Sequence, residues 1–555
     1  MIVPALVSFS LLLAHIASAR LPDGRLHANL PRPPALPIIP FANEGPVTGR
    51  DGSELPPYNT TYYFDQLIDH NNPSLGTFKQ RYWHTYEFYE PGGPIILMTP
   101  GEANAERYTA YLTNSTINGL IAQQQSGSVI IIEHRFYGTS NPYPDLSGKS
   151  FAVHNIQQAI DDLEYFAKNV KLPMPNGENL GPDKAPWIMV GGSYSGALTG
   201  WTMVNKPGLF WAGYSSSGVV EAIFDYWEYF EPIRQNMAKN CSADVEAAIA
   251  HVDEVFSGTN TTAIQALKEN FGLNELSHLD DVAGALRNNL WDWQSLQPNS
   301  GPNTVFRQFC DALEVKNGVS APAEGWGSEH AVAAWGAFWR DGYLSNLCGN
   351  NSVEDCLGSY DPTQDYYTDT SVDNAGRSWF WFVCNEVGYL QDGPPPAVPA
   401  VVTRLVQPDY DLRQCQWMFS DVFDSPPDME GGVKATNEKY GGWNLKVDRL
   451  FFANGVRDPW REATVSAQGL NVPSTERMPI AVGDGFHCSD LSVARAAVDP
   501  TIAAVQKQAL ASMKIWLAEW PAYKTVKRSE VPSVARRSAG SPKRVNPWFR
   551  DPVVA

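Results

Sequence analysis

The stretch Gly191-Gly192-Ser193-Tyr194-Ser195-Gly196 follows a short apolar run, Pro186 to Val190, and precedes Ala197 to Val204, which reads as the start of a helix. A strand, a glycine-rich turn carrying a serine and then a helix is the setting of a nucleophile elbow. Such a turn needs residues without bulk around the serine, because the backbone there is strained and packs closely on its neighbours. The strict G-x-S-x-G spacing is not met: Ser195 stands where the last glycine would be, and the match is G-x-S-x-x-G centred on Ser193. An ordinary glycine-rich turn looks the same at this level, so the surrounding chain has to decide.

Upstream, Pro94 to Thr99 and Ser128 to Glu133 are continuous apolar runs of the kind found in buried parallel strands. Between Asn155 and Leu172 the residues Ile156, Ile160, Leu163, Phe166 and Val170 share one helical face. Another strand is expected at Trp211 to Ser215. The alternation then stops. Residues 220–446 are mostly helical or irregular and hold six of the seven cysteines. It resumes with strands at Arg449 to Ala453 and Met478 to Val482 and a helix from Thr501 to Trp520. The expected fold is α/β: a mostly parallel sheet with helices on both faces, carrying a large helical, disulfide-bearing cap insertion. Residues 59–219 and 447–523 are then the two parts of the core, and 220–446 the cap.

At 555 residues the chain is long enough for two packed units, and its 43% apolar content is that of a globular protein. A formal charge of −19 argues against nucleic acid as a partner, since phosphate binding needs a basic face. Residues 1–19 read as a signal peptide, an apolar run ending in the small-x-small pattern Ala17-Ser18-Ala19. No other run approaches the length of a membrane span, so stable membrane insertion is not expected. Sequons at Asn59, Asn114, Asn240, Asn260 and Asn350 fit a secreted glycoprotein. Seven cysteines fit three bridges and one thiol. Spacing does not dictate the connectivity; pairing of neighbours would give Cys241–Cys310, Cys348–Cys356 and Cys384–Cys415, leaving Cys488. Neither C-x-x-C nor H-E-x-x-H occurs, so no metal or other cofactor is indicated. Residues 20–58 are proline-rich and read as an extended leader or propeptide outside the core. Residues 524–555 form a basic tail whose dibasic pairs suit processing or simple solvation.

A serine hydroxyl needs a base within hydrogen-bond reach, itself oriented by a carboxylate. In the order Ser, Asp, His, the histidines after Ser193 are His251, His278, His330 and His487, and the first three fall inside the insertion. His487 is therefore the candidate base and Asp458, after the strand at Leu450, the candidate carboxylate. Asp484 and Asp490 lie close enough to His487 to shape its loop instead. The oxyanion donors should be the N–H of Tyr194 and that of Gly101 or Glu102, on the loop after the strand at Pro94.

The motifs Gly191 to Gly196, Glu133-His134-Arg135-Phe136-Tyr137-Gly138, Asn454 to Trp460 and Gly485 to Asp490 together resemble one serine peptidase family. It is that of lysosomal prolyl carboxypeptidase, dipeptidyl peptidase II and fungal acid prolyl endoprotease, and the fungal branch is the most similar. The resemblance runs from about Tyr62 to Trp520. It implies an α/β-hydrolase fold, a Ser193–Asp458–His487 triad and cleavage of peptides or proteins beside proline, often at acidic pH. It also implies a secreted enzyme or one of an acidic, lysosome-like compartment. It places Trp460 beside a proline pocket, where a flat aromatic wall suits the pyrrolidine ring, although core packing would equally account for it. Endopeptidase and exopeptidase modes both occur in the family. A secreted ester hydrolase, or a silent hydrolase fold used for binding, are the readings left if peptide cleavage fails.

Overall fold

The computed structural model describes residues 21, 24–41 and 45–521. The expected signal peptide and basic tail lie outside them. Eight strands form one twisted sheet: β1 (Tyr62–Leu67), β2 (Thr77–Thr85), β3 (Ile95–Met98), β4 (Ser128–Ile132), β5 (Trp187–Gly192), β6 (Ala212–Ser216), β7 (Leu450–Gly455) and β8 (Ile480–Gly483). Their order is β1-β2-β4-β3-β5-β6-β7-β8, antiparallel at β1/β2 and β2/β4 and parallel from β4 onward. This is the α/β-hydrolase architecture. The opening β1–β2 hairpin is an addition that period and composition did not announce.

Strand β3 is buried throughout, as are β4, β5 and β6, which explains why their sequences show no alternation. The helices that position the site are α1 (Ile156–Asn169), α2 (Tyr194–Asn205), α3 (Leu279–Trp291) and α4 (Pro500–Ala518). Asn155 caps α1 by accepting from Gln158 N–H at 2.9 Å. The α2 helix enters the sheet plane at the point where strand order reverses between β3 and β5, the crevice in which α/β proteins bind ligands.

Between β6 and β7 the chain is mainly helical, with a short parallel pair joining Ile223–Asp225 to Gly388–Leu390. The three disulfides are Cys241–Cys310, Cys348–Cys356 and Cys384–Cys415, and Cys488 is free and buried. Among the described residues no helix is long and apolar enough to cross a membrane. The sequon asparagines Asn59, Asn114, Asn260 and Asn350 are exposed. Asn240 is half-buried, with its amide nitrogen donating to Ser320 Oγ and Ala321 O.

One expectation is overturned. The proline-rich leader is not outside the core: from Arg25 to Pro34 every residue but Leu26 is buried, and Leu36 and Ile39 join the hydrophobic interior. Prolines carry no N–H, so an extended proline-rich chain can be buried with few orphaned donors, and composition alone cannot distinguish that from a solvated leader.

Candidate active site

Strand β5 ends at Gly192, and Ser193 adopts φ 60°, ψ −127°, a conformation rare for a residue with a Cβ. The turn closes only because its neighbours are small. A Cβ on Gly191 would lie 1.9 Å from Ser195 O, and one on Gly196 2.8 Å from Ser216 O. The serine that replaces the last glycine of the motif has its own task. Ser195 Oγ accepts from Gly192 N–H at 3.1 Å and donates to Gly192 O at 2.8 Å, clasping the turn from inside.

The side chains expected to cooperate lie in one buried relay. His487 Nε2 is 2.7 Å from Ser193 Oγ, and its Nδ1 is 2.8 Å from Asp458 Oδ1, which also accepts from Trp460 N–H at 2.9 Å. Burial, the largest single influence, favours neutral imidazole, but the Asp458 carboxylate and the neighbouring Cys488 together outweigh it and raise the His487 pKa well above the ordinary value. Asp490 and Asp484 shape the loop. Asp490 accepts from Tyr214 and Ser216 hydroxyls at 2.6 and 2.8 Å, and Asp484 pairs with Arg457.

The Glu133–Gly138 motif turns out to frame the loop after β3. Buried Glu133 accepts from Arg81 Nε and Nη2 at 2.9 and 2.7 Å, from Ser140 Oγ at 2.6 Å and from Ala105 N–H at 3.0 Å, so it anchors the loop after β3. His134 Nε2 lies 3.0 Å from Tyr194 OH. Buried Arg135 bonds Asp162 on α1. In the anchored loop Gly101 has φ 75° and packs on α2: a Cβ there would lie 3.1 Å from the Tyr194 ring. Its N–H is taken by Thr99 Oγ1 at 3.2 Å. Of the two candidates expected on this loop, the amide of Gly101 is engaged by Thr99 Oγ1, and that of Glu102 meets its own carboxyl.

Sequence reasoning missed what lies above the relay. Residues 292–297, following α3, clamp the loops of the acid and the base. Trp293 Nε1 donates to Arg457 O at 2.8 Å, Gln297 Nε2 to His487 O at 3.2 Å, and Ser489 Oγ to Gln297 Oε1 at 2.7 Å. Trp460 is fully buried against Tyr226, Tyr229 and Tyr389, with ring centroids 5.3–5.6 Å away and that of His487 at 6.4 Å. Its indole N–H donates to Gln294 Oε1 at 2.8 Å. Glu386, to which no pattern in the sequence gives a role, accepts from Ile156 N–H at 2.9 Å at the start of α1.

Several buried acids shift upward. Burial raises Glu102 to about 8, opposed only by its own backbone N–H and by His487, and raises Glu228 and Glu386 to about 7. A raised group contributes stability that is full below its unfolded value and lost as pH climbs through its folded value. Buried histidines run the other way: burial lowers His27 and His84 to about 3 and His134 to about 4, so their contribution is lost as pH falls below 6.5. Between pH 8 and 6.5 the acids, joined by His487, dominate. The melting temperature is therefore expected to rise as pH is lowered across that window and to rise less steeply below it, where the histidines oppose the acids. Calorimetry showing a flat or falling Tm from 8 to 6.5 would contradict this balance.

The family model described as Serine carboxypeptidase S28 matches residues 66–509. Among relatives, "Serine protease vicPb" of Bipolaris victoriae is 35% identical over 477 residues, covering 82% of this chain and 89% of its own. "Probable extracellular serine carboxypeptidase" of Arthroderma benhamiae is 33% identical over 435 residues, 74% of this chain and 59% of its own. Among solved structures, an acetylester hydrolase from Corynebacterium glutamicum covers 82% of this chain and 95% of its own at 13% identity, with a TM-score of 0.31.

Proposed function

The chain belongs to the serine carboxypeptidase S28 family, and on that premise we propose a secreted peptidase that cleaves beside proline through Ser193, His487 and Asp458. The observation that carries the reading is the Asp458–His487–Ser193 relay, at 2.8 and 2.7 Å. Ser193 Oγ attacks the scissile carbonyl while His487 Nε2 takes its proton. The imidazolium, stabilised by Asp458, returns that proton to the leaving amine, and water resolves the acyl-enzyme by the same route in reverse. Tyr194 N–H and Glu102 N–H are the proposed oxyanion donors. Trp460 is the proposed wall of the proline pocket, and its position 6.4 Å from the His487 ring supports that role. The relative named as extracellular supports secretion.

Glu102 gives the site a pH signature. Below about 8 its carboxyl is neutral; above, a negative charge appears in the cavity that His487 also lines, beside the proposed oxyanion donors. Activity is expected to fall as pH rises through that value, and Glu102→Gln to remove this alkaline limb. On the acid side the raised His487 pKa depletes the free base, so kcat/KM is expected to decline with falling pH, against the acid optimum that the resemblance implies. Profiles of kcat/KM for the wild type and Glu102→Gln decide both points; an unchanged alkaline limb in the variant refutes the assignment.

The reading is tested with a doubly blocked peptide containing an internal proline, a peptide with a free C-terminus after Pro-X, and a free N-terminal X-Pro amide. Cleavage of the first establishes endopeptidase action, and cleavage only of a free-ended substrate establishes an exopeptidase. Survival of all three alongside hydrolysis of a simple ester refutes proline-directed peptidase action.

A further inference from the structure

Leader residues 24–37 run from the cap to the core along the site: residues 26–30 form a bend and turn in which Leu30 N–H donates to His27 O at 3.2 Å, and residues 31–37 continue free of helix and turn. At the cap end Asn29 Nδ2 donates to Asp281 O at 3.0 Å and to Leu357 O at 2.6 Å, and Arg287 Nη2 donates to Asn29 O at 2.9 Å. In the middle, Gln391 holds Arg32 by both backbone groups: Arg32 N–H donates to Oε1 at 3.1 Å, and Nε2 donates to Arg32 O at 2.8 Å. Gln294 Nε2 donates to Pro33 O at 3.0 Å while its Oε1 receives the Trp460 indole. At the core end Tyr108 OH donates to Leu36 O at 3.2 Å and Tyr111 OH to Pro37 O at 2.8 Å. Leu36 reaches the elbow itself, since a Cβ on Gly192 would lie 2.5 Å from its Cδ2. Arg32, Pro33 and Leu36 form one wall of a cavity of about 540 Å³ whose other side includes Glu102, Gln297 and His487.

This is how a groove holds a foreign peptide. From Pro31 onward the bound chain makes no turn, its carbonyls are taken by side-chain donors rather than by a sheet, and its prolines bring low entropy and no unsatisfied N–H. We propose that residues 24–37 occupy the peptide-substrate groove as a ligand in cis, blocking the site until released, and that Gln294 and Gln391 are the side chains that grip the backbone of a proline-rich substrate. The proposal deepens the peptidase reading above and rests on it. It accounts for a single chain both entering and leaving the site, the arrangement an endopeptidase requires. Tethering makes even a weak ligand effective, because the effective concentration of a short linked segment is on the order of millimolar.

Pro40 and Phe41 are exposed, so a recognition site for a sequence-specific protease can be inserted between them in the full chain. After cutting and removal of the segment, verified by mass, hydrolysis of the blocked proline peptide and labelling by a fluorophosphonate are both expected to rise at least tenfold. Added synthetic peptide 24–37 should reverse the gain by raising KM without changing kcat. In the freed Ser193→Ala protein, a fluorescent 24–37 peptide should bind, be displaced by the blocked proline peptide, and bind at least tenfold more weakly when Gln391→Ala is added. Unchanged rates after removal overturn the proposal, as does simultaneous binding of both peptides. Should the freed protein unfold, Asn29→Ala with Arg32→Ala in the intact chain loosens the segment in place; labelling no faster than in the unmutated chain then overturns it. Competitive binding without any labelling or hydrolysis would leave the groove standing and remove the serine-peptidase reading instead.

Discussion

Ser193→Ala is expected to lower kcat/KM by about four orders of magnitude or more, with the melting temperature nearly unchanged. The Ser193 hydroxyl bonds His487 Nε2 from a fully buried position, so its loss removes the nucleophile without opening the core. Members of a triad act as a unit, so Ser193→Ala combined with His487→Ala should cost no more than either alone. Asp458→Asn should also cost about four orders, since it removes the acceptor that fixes the His487 tautomer. Ser193→Gly, equally inactive, should be more stable than the wild type by about 1 kcal/mol, because glycine adopts φ 60° without strain. Stopped assays on matched preparations, with denaturant melts beside them, check all four. A Ser193→Ala protein retaining a tenth of wild-type activity sinks the assignment.

Glu133→Ala should destabilise the fold by about 3–5 kcal/mol, the range for removing one partner of a buried ion pair. It leaves Arg81 without its bidentate carboxylate and releases Ala105 N–H, so the loop after β3 loses its anchor. The loss of activity should exceed that explained by unfolding, since Glu102, a proposed oxyanion donor, lies on that loop. Glu133→Gln keeps the shape and should fall between the two. Urea melts together with kcat on the folded fraction separate the effects; a Glu133→Ala protein as stable as the wild type would show that the motif is not the frame described.

The strands β3, β4, β5, β6 and β7 were legible as apolar runs because strands buried on both faces have no polar alternation to confuse them, and the half-exposed edge strand β8 because its residues are apolar all the same. The β1–β2 hairpin was not, since its first strand is only partly buried and sets polar residues, exposed Asp65 and buried Gln66, among its aromatic ones. Sequence order picked out Ser193, Asp458 and His487 because local turn chemistry and chain order leave few choices. It could not choose between Gly101 and Glu102, a choice that turns on whether Thr99 Oγ1 captures one amide.

The sequence by itself determined strands β3 to β8, the elbow and the chain order of the residues now found in one relay, since periodicity and spacing act over tens of residues at most. The tertiary structure decided what covers that relay. Gln294, Gln297 and Gln391 reach it only because the cap folds back over the β5 and β7 ends, and Gln391 meets Arg32 across 359 residues. The leader's place was decided the same way. A proline-rich segment has no periodicity with which to declare itself buried, and it becomes part of the interior only where side-chain donors from distant elements converge on its carbonyls.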